Sequence, residues 1–575
     1  MVSQLFYIIH VSQIEEMRAV GFKEFCISAA AKYHLFYEEV KKMTENYQKT
    51  HGSQNHSIEE TKAYFIGGGV ASLAGAVFLI RDGHIPGKNI HIFEELNIAG
   101  GSCDGIGSPE EGYVVRGGRM LNDPAYECTW ELLKFIPSVS DPKKSVRDEV
   151  VDFNKRIKTR AKARLVDENG KAADVSSMGF SNADRIALAK LTITPEEALG
   201  TLKINQWFSP SFFKTNFWYM WATTFAFQPW HSAVEFKRYM IRFMHEFPRI
   251  HTLEGVTRTP YNQYDSLVLP LQKWLEGQGV HFEMNCQVTD LDFKPSESVK
   301  TVEVIHYTRA GKQDEIAIRE NDLVFFTNGS MTEGSRLGSM TSAPGLGAKG
   351  GSFTLWETIV KKQPDLGNPS AFADHIDESL WESFTVTMKD TAFFNSLQSF
   401  TGRALATFKD SNWFMSIVLP HQPHFTNQPE NVSVFWGYSL FPDNKGNYVH
   451  KKMSECTGEE ILIELFNHLK LTEELPSILK TSNCIPCMMP FITSQFMPRT
   501  KEDRPPVVPE GSTNLAFIGQ YCEIPDDVVF TVEYSVRSAQ MAVYSLLKLD
   551  KEVPPISQHQ YDVRILFNSF ITSFR

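Results

Sequence analysis

Six residues near the start of the chain, Gly67-Gly-Gly69-Val-Ala-Ser72, fill the G-x-G-x-x-G frame with a serine at the third glycine. In this frame the first glycine permits a tight turn, the second lets the backbone approach a pyrophosphate, and the third position packs a helix closely on a strand, for which serine is small enough. The N–H groups of a helix that begins at Val70 would point at the phosphates. Glu94 lies 22 residues beyond Ser72, where a carboxylate can accept hydrogen bonds from ribose hydroxyls. The spacing predicts a dinucleotide site at Gly67, Gly69, Val70, Ala71, Ser72 and Glu94.

The elements that must position this turn follow in the required order. Ala63–Ile66 has the pattern of a short buried strand, residues 70–82 that of a helix and residues 90–93 that of a second strand, so the segment predicts a βαβ unit. An acid at the end of the second strand disfavours NADP, whose additional phosphate calls for a cation. The glycine-rich Ala99-Gly-Gly-Ser102 and a late strand, turn and helix at Gly519 favour FAD over NAD, because they can return to enclose a long cofactor.

Further strands of this type are spread over the whole chain. Residues 280–293 and 302–307 alternate as antiparallel strands, residues 322–327 form a buried strand, and residues 514–518 form a strand before a helix at 530–549. The sequence therefore predicts an α/β fold with a discontinuous Rossmann-type FAD-binding domain, an inserted, aromatic-rich mixed α+β substrate domain and a short helical C-terminal tail. The predicted boundaries are 1–60 for an N-terminal helical extension and linker, 61–130, 270–345 and 510–550 for the FAD domain, 131–269 and 346–509 for the substrate domain, and 551–575 for the tail.

The inserted segment is unusually aromatic. Residues 207–230 contain 11 aromatic side chains in 24, and residues 231–247 continue as a helix with an apolar stripe at Phe236, Met240, Phe243, Met244 and Phe247. Two interpretations remain open, a large hydrophobic core and the lining of a tunnel for a long apolar ligand, and the two overlap.

Composition excludes several other classes of protein. A net charge of −11 argues against nucleic acid as a partner. Eight scattered cysteines do not suggest a disulfide scaffold, and the lone Cys484-Ile-Pro-Cys487 is interpreted as two reduced thiols rather than a redox or metal site. Gly345-Leu-Gly347-Ala-Lys-Gly350 also matches the glycine frame, but no strand directly precedes it, so a second nucleotide site is not expected. With no signal peptide and no convincing membrane span, we expect a cytoplasmic protein.

A series of motifs in order identifies a family. The motifs are Ile80-Arg-Asp-Gly83, Gly100-Gly-Ser-Cys-Asp104, Arg116-Gly-Gly-Arg119, Asn216-Phe-Trp218, Trp230-His-Ser232, Tyr261-Asn-Gln-Tyr-Asp265, Asn328-Gly-Ser330, Asp410-Ser-Asn-Trp413, Gln422-Pro-His-Phe425, Phe496-Met-Pro-Arg499 and Asp527-Val-Val-Phe-Thr531. Between residues 62 and 564 the chain resembles the FAD-dependent oleate hydratases, also called myosin-cross-reactive antigens. The resemblance implies a hydro-lyase that adds water to the cis-9 double bond of an unsaturated fatty acid, such as oleate to 10-hydroxystearate, with FAD bound but not consumed.

The resemblance also assigns roles to residues. The proton donor falls on Tyr239, and groups that hold the fatty-acid carboxylate fall on Gln263 and His424. Tyr239 also lies between Phe236 and Phe243 on the apolar stripe, which would bury its phenol next to a dry substrate. Further cofactor contacts are expected at Gly101, Ser102, Arg119, Val288, Ser330 and Gly519.

Three departures from the family pattern concern the chemistry. Met120 stands where relatives commonly carry the glutamate that orients the attacking water, which leaves Asn122 or Asp123 as candidates for that role. Val418 and Pro420 stand where relatives place a threonine and an asparagine near the carboxylate. Two other functions remain open, a redox flavoenzyme acting on lipids and a fatty-acid-binding flavoprotein without hydratase activity.

The last residues suggest how the protein meets its substrate. Residues 563–574 carry six large apolar side chains between Arg564 and Arg575, which suits an interfacial helix, although a packed tail is an equal alternative. A peripheral membrane contact is therefore an expectation, and a homodimer is compatible with the sequence.

Overall fold

The computed structural model describes residues 58–296 and 298–574, so the N-terminal helical extension and linker predicted for residues 1–60 lie outside the described residues up to residue 57. The described strands are β1 Ala63–Ile66, β2 Ile90–Glu94, β3 Gly105–Ser108, β4 Gly112–Val115, β5 Leu121–Asn122, β6 Arg160–Ala161, β7 Leu165–Val166, β8 Val256–Thr257, β9 His281–Met284, β10 Cys286–Phe293, β11 Val302–Arg309, β12 Lys312–Ala317, β13 Leu323–Thr327, β14 Arg336–Leu337, β15 Trp381–Met388, β16 Gly402–Arg403, β17 Leu405–Phe408, β18 Met415–Val418, β19 Ser433–Ser439, β20 Ser482–Met489 and β21 Leu515–Ile518.

The described α-helices are α1 Val70–Arg81, α2 Glu127–Phe135, α3 Val146–Arg156, α4 Asn182–Ile193, α5 Glu196–Leu199, α6 Ile204–Trp207, α7 Asn216–Phe225, α8 Ala233–Arg242, α9 Leu269–Gly277, α10 Gly351–Lys362, α11 Ser370–Ala373, α12 Ile376–Ser379, α13 Thr391–Thr401, α14 Gly458–His468, α15 Leu475–Thr481, α16 Val532–Leu546 and α17 Val563–Ser573.

A five-stranded parallel sheet gathers strands from distant parts of the chain. Its order is β21-β13-β1-β2-β9, and every neighbouring pair is parallel. All four residues of β1 are buried, as expected for a central strand covered on both faces. Helices α1 and α16 pack together against it: a Cβ on Gly75 of α1 would lie 2.6 Å from Phe65 of β1 and 3.7 Å from Ala539 of α16. The parallel α/β sheet predicted from the sequence is confirmed.

One predicted strand pairing is wrong. Residues 280–293 do not form antiparallel strands throughout, because Asn285 adopts a left-handed conformation, with φ 53°, and divides the segment in two. The first piece, β9, joins the edge of the parallel sheet beside β2. The second piece, β10, pairs antiparallel with β11 in a separate three-stranded sheet of order β10-β11-β12.

The aromatic segment folds into helices that share one core. Phe212 packs against Phe208 with ring centroids 3.9 Å apart, and Phe236 of α8 contacts the same cluster. The helix predicted at 231–247 is shorter than expected: Ser232 caps α8, which ends at Arg242, and Met244–Arg249 continues as a 3₁₀ helix. Pro248 lies inside that turn, and a proline cannot donate the hydrogen bond that would continue an α-helix.

A mostly antiparallel sheet of seven strands, in the order β14-β20-β15-β19-β18-β17-β7, supports the other side of the aromatic core. Cys484 and Cys487 lie three residues apart in β20, so they point to opposite faces of the sheet. Both thiols are free and buried, and no group of metal-binding side chains occurs among the described residues. No helix in residues 58–296 and 298–574 has the length and apolar character needed to cross a membrane.

Candidate active site

The glycine turn lies between the carboxyl end of β1 and the first turn of α1. Gly67 has φ 97°, and its N–H donates to the carbonyl of Phe93 at 2.9 Å. The N–H of Gly68 donates to Oε2 of Glu94 at 2.8 Å, so the acid at the end of β2 touches the turn directly. Burial raises the pKa of Glu94 above its ordinary value, while hydrogen bonds from the backbone of Leu96 and Gly68 favour the ionised form.

Gly69 faces open space at the start of α1. A Cβ placed on Gly69 would meet no atom within 4 Å, and a Cβ on Gly101 would lie 3.2 Å from the Cα of Gly69. The two glycine segments are bridged, since the N–H of Gly100 donates to the carbonyl of Gly68 at 2.8 Å. The first N–H groups of α1 have no side-chain cap. This geometry is what a pyrophosphate needs: a bare backbone surface and free donors at a helix N-terminus.

Two arginines flank the second glycine segment, the partly buried Arg116 and the buried Arg119. Arg116 holds Asp104 through two hydrogen bonds of 2.9 and 2.7 Å and donates to the carbonyl of Gly101 at 3.0 Å. Arg119 donates to the carbonyl of Ser102 at 3.0 Å and lies 5.7 Å from the ring centre of Phe530, but it forms no ion pair with any described residue. Burial lowers the pKa of Arg119. A buried guanidinium without a carboxylate partner fits an anionic ligand.

The turn Gly67–Gly69, the segment Gly100–Gly101 and the first turn of α1 are together called the cradle below. Several polar atoms around the cradle have no hydrogen-bond partner among the described residues. Ser72 is fully buried and its Oγ makes no hydrogen bond, and Oγ1 of Thr327, at the end of β13, is likewise unpaired. Gly519, with φ 100°, approaches Thr327 so closely that a Cβ would lie 3.2 Å from its methyl group. Orphaned polar atoms and a turn with room for a ligand fit the dinucleotide that the sequence predicts.

The remaining predicted cofactor contacts lie further apart. Val70 and Ala71 are buried in the first turn of α1. Ser330 follows β13, and its hydroxyl accepts a hydrogen bond from the N–H of Thr332 at 3.4 Å. Val288 is buried in β10, in the three-stranded sheet rather than in the parallel one. The structure thus brings the glycine turns and Arg119 together and places Val288 in a neighbouring sheet.

An open pocket lies next to this cradle, with about 920 Å³ of space when the solvent at its mouth is included, and is called the main cavity below. One wall is the segment from Gly117 to Asn122, which continues from the cradle, and another is Phe530, Thr531 and Val532 at the start of α16. The remaining walls are largely aromatic, from Phe225, Tyr239, Phe243, Trp381, Trp436 and Tyr438.

Tyr239 belongs to this cavity and is almost fully enclosed. The side chain is 1% exposed and is surrounded by aromatic rings, with Phe225 and Phe227 at centroid distances of 5.1 Å. Its hydroxyl donates to the backbone carbonyl of Val529. Burial raises the pKa of the phenol well above its ordinary value, so Tyr239 keeps its proton at neutral pH.

The main cavity has one polar corner, which sequence reasoning located only in part. Asn122 lines it and donates to Oε1 of Glu246 at 2.7 Å, and Glu246 also accepts two hydrogen bonds of 2.7 Å from Arg249. Hydrogen bonds from His245 and Arg249 hold the pKa of Glu246 at about 2 against the opposing effect of burial, so this carboxylate is ionised. Glu246 lies in the 3₁₀ segment Met244–Arg249 beyond the end of α8, so its contact with Asn122 depends on packing and had no local signal in the sequence.

Met120 also lines the main cavity, as the family comparison of this position predicts. Of the two neighbouring candidates for orienting water, Asn122 faces the cavity and Asp123 does not. The carboxylate of Asp123 is 65% exposed and lies 3.7 Å from Arg147. Asp123 is therefore removed from the candidate site, because the chain turns its side chain outward to solvent.

Gln263 and His424 line a second cavity, with about 520 Å³ of space when the solvent at its mouth is included, and this cavity shares Gly118 and Trp436 with the main cavity. Nε2 of Gln263 donates to the carbonyl of Arg119 at 3.3 Å, which links this cavity to the cradle. His424 is 6% exposed, and burial lowers its pKa to about 3, so its imidazole is neutral. Val418 and Pro420 contribute apolar surface to the same lining, and Arg258, which sequence reasoning missed, lies there too.

The fold and the site define an α/β protein with a glycine turn suited to phosphates and an aromatic cavity beside it. Comparison with known proteins is more specific, because the model of the MCRA family matches residues 60–544. The chain belongs to the MCRA family, which confirms the resemblance found in its motifs.

Two relatives cover nearly the whole protein. The chain is 41% identical over 529 residues to an oleate hydratase from Streptococcus pyogenes serotype M49 (strain NZ131), covering 89% of this chain and 90% of that protein. It is 38% identical over 532 residues to a linoleate hydratase from Lactiplantibacillus plantarum, covering 84% of this chain and 93% of that protein. Among solved structures it is similar to an oxidoreductase from Methanosarcina mazei, with 11% identity, a TM-score of 0.48, and coverage of 84% of this chain and all of that one.

Proposed function

We propose that the protein is an FAD-dependent fatty-acid hydratase that adds water to the cis-9 double bond of a long-chain unsaturated fatty acid, converting oleate to 10-hydroxystearate. The observation that carries the proposal is Tyr239, a protonated phenol in the aromatic wall of a cavity next to a dinucleotide cradle. Membership of a family with oleate and linoleate hydratases at about 40% identity supports it.

The cradle supports FAD as the cofactor. Gly67, Gly69 and the first turn of α1, Val70 to Ser72, would receive the pyrophosphate, and Glu94 would bind a ribose. Arg119 places an unpaired buried cation beside the cradle. Gly101, Ser102, Ser330, Gly519 and Val288 complete the proposed contacts. When bound, FAD supplies fixed charge and dipoles near the reacting carbons and is not consumed.

Tyr239 would deliver the proton. The phenol O–H bond breaks as a C–H bond forms at carbon 9, and the oxygen of a water molecule bonds to carbon 10. The proton that this water then loses returns through solvent to the phenolate of Tyr239, so one water is added and no electrons are exchanged with the cofactor. An alkene is a weak base in a dry pocket, so it needs an acid that is protonated and close. Tyr239 meets the first condition at neutral pH. The Val529 carbonyl holds the hydroxyl until the substrate arrives.

The polar corner supports a role for Asn122 in holding the attacking water. Met120 has no proton to give or take, whereas the amide of Asn122 faces the cavity and is fixed by Glu246 and His245. The ionised Glu246 behind it stabilises positive charge that develops on the substrate. A carbocation reacts readily with neutral water, so positioning of that water suffices in place of a dedicated base.

The second cavity supports binding of the fatty-acid carboxylate at Gln263 and His424. The two cavities share Gly118 and Trp436 in their linings, so a fatty acid with its carboxylate in the second cavity would reach the main cavity past this pair. With the head group in the second cavity, the middle of the fatty acid lies in the aromatic main cavity. The alkene then faces Tyr239.

Helix α17 supports a peripheral membrane contact, through which a cytoplasmic enzyme could collect its substrate. Phe567, Phe570 and Ile571 are each at least 40% exposed on this helix, and Arg564 is exposed beside them. The opposite face packs on the 3₁₀ segment Met244–Arg249, where Ser569 donates to the carbonyl of Met244 at 3.1 Å. The predicted helical tail is present, with a described face that remains apolar and exposed.

The sheet and the two cavities support the proposed domain division. The FAD domain would comprise 61–130, 270–345 and 510–550, and the substrate domain 131–269 and 346–509. The strands of the parallel sheet lie within the first set of segments, and both cavities combine residues from the two sets.

Product analysis after incubation with oleate tests the proposed function. A mass gain of one water supports a hydratase. Loss of two hydrogens identifies a redox flavoenzyme instead, and an unchanged fatty acid that copurifies with the protein identifies a binding protein.

A further inference from the structure

The second cavity carries positive charge and no described carboxylate. Its lining includes three cationic side chains, Lys158, Arg258 and Arg403, whereas no aspartate or glutamate occurs among its described lining residues. Lys158 and Arg403 are exposed, and Arg258 is partly buried deeper in the lining. Cations at a rim steer an anion inward, and a cation inside binds it.

Arg258 is held in place but its charge is unpaired. The backbone N–H of Arg258 donates to Oδ1 of Asn154 at 3.1 Å, and the backbone carbonyl of Arg258 accepts from Nδ2 of the same asparagine at 2.7 Å. The Nη2 atom, by contrast, is buried without a hydrogen-bond partner, and the guanidinium forms no ion pair within residues 58–296 and 298–574. Burial lowers the pKa of Arg258 to about 10, so it is charged at neutral pH. A desolvated, unpaired charge is costly unless a ligand supplies the opposite charge.

His424 provides a second unused group in the same cavity. Its Nε2 is buried and has no hydrogen-bond partner, and the charge of Arg258, together with burial, keeps the imidazole neutral. A neutral imidazole can donate one hydrogen bond to an anion but adds no charge. The side chains of Val418 and Pro420 cannot donate hydrogen bonds. Arg258 is therefore the cation best placed to neutralise an anion inside this cavity.

We propose that Arg258 is a further anchor for the substrate carboxylate in this chain, beside Gln263 and His424, and that it supplies the charge that the apolar Val418 and Pro420 cannot. The inference rests on the proposed function and deepens it. The guanidinium offers two parallel N–H donors to a carboxylate, with His424 beside it. The hydrocarbon chain then extends past Trp436 and Gly118 into the main cavity. A positively charged anchor would take the place of the threonine and asparagine that relatives carry at the positions of Val418 and Pro420.

Stearate binding to the flavin-loaded protein tests this inference without requiring turnover, because stearate has no double bond. Arg258→Met should weaken stearate binding by about 10- to 100-fold in calorimetry, the range expected for loss of a hydrogen-bonded charge. Arg258→Lys keeps the charge and should recover part of the affinity. Arg160→Met is the matched control, since Arg160 is 70% exposed outside both cavities.

Stearyl alcohol separates a charge effect from a loss of packing. The affinity of Arg258→Met protein for stearyl alcohol should stay within about threefold of the wild-type value. The variant should therefore lose the preference of the wild type for the acid over the alcohol. Equal weakening of acid and alcohol, or no change for the acid, would overturn the role of Arg258. If wild-type protein binds stearate as described but does not hydrate oleate, the proposed function fails while the carboxylate anchor stands. If it hydrates oleate and Arg258→Met binds stearate normally, the anchor alone fails.

Discussion

A substitution at Gly69 should weaken cofactor binding while leaving the stability of the fold almost unchanged. Gly69 has φ −73° and ψ 175°, an extended conformation open to any residue, and an added Cβ meets no protein atom within 4 Å. Gly69→Val should therefore change the free energy of unfolding by no more than about 1 kcal/mol, the usual scale for a change at a helix N-cap. The isopropyl group would instead fill the space over the first N–H groups of α1, where the pyrophosphate is proposed to bind.

The expected loss of FAD affinity is large. Each hydrogen bond to a charged phosphate contributes about 1.5–3 kcal/mol, so losing two weakens binding by about 100-fold or more. The flavin-to-protein ratio after purification and the titration of stripped protein with FAD measure this loss. Gly277→Val is the matched control, because a Cβ there also meets open space but at the end of α9. Full flavin occupancy in Gly69→Val protein would refute the proposed phosphate turn.

Three further predictions address the reaction, the membrane and the polar corner. Tyr239→Phe should abolish most hydration activity, whereas Met120→Ala should have a much milder effect, and near-normal steady-state turnover of Tyr239→Phe would place the acid elsewhere. Full-length protein should float with liposomes more than a version that ends at Asp562, and equal flotation would remove the role of α17. Because the folded pKa of Glu246 is about 2 against an ordinary 4.5, its contribution of up to about 3 kcal/mol is present above pH 4.5 and lost as the pH falls towards 2. Glu246→Gln should lose that contribution at pH 7 in denaturant titrations, and an unchanged unfolding free energy would contradict it.

The local pattern of apolar residues and glycines was enough to predict the strands, turns and helices that depend on residues close together in the sequence. The strand Ala63–Ile66, the turn at Gly67 and the helix that follows lie where the sequence places them. The pairing direction of residues 280–293 was harder to predict. Asn285, in a left-handed conformation, changes the direction of the chain, and β9 pairs with β2 because β2 leaves a free edge in the parallel sheet. An alternating apolar pattern is the same for a parallel and an antiparallel partner.

The polar parts of the candidate site depend on distant contacts. Asn122 and Asp123 are adjacent in sequence, yet one is tied to Glu246 and the other faces solvent, and this depends on how β5 pairs with β8. Arg258 follows β8 directly, and its unpaired charge is evident only once the second cavity is assembled around it. The sequence named the candidates that match family motifs and left Asn122 and Asp123 as alternatives, whereas the contacts of Arg258 and Glu246 depend on packing and had no local pattern.

Incubation of the flavin-loaded protein with oleate in heavy water tests the central claim most directly. We predict a hydroxy acid with its hydroxyl at carbon 10 and one carbon-bound deuterium at carbon 9, delivered by the exchanged phenol of Tyr239. A product with several carbon-bound deuterons, a ketone without the hydroxy acid, or an unchanged fatty acid would contradict hydration by this site.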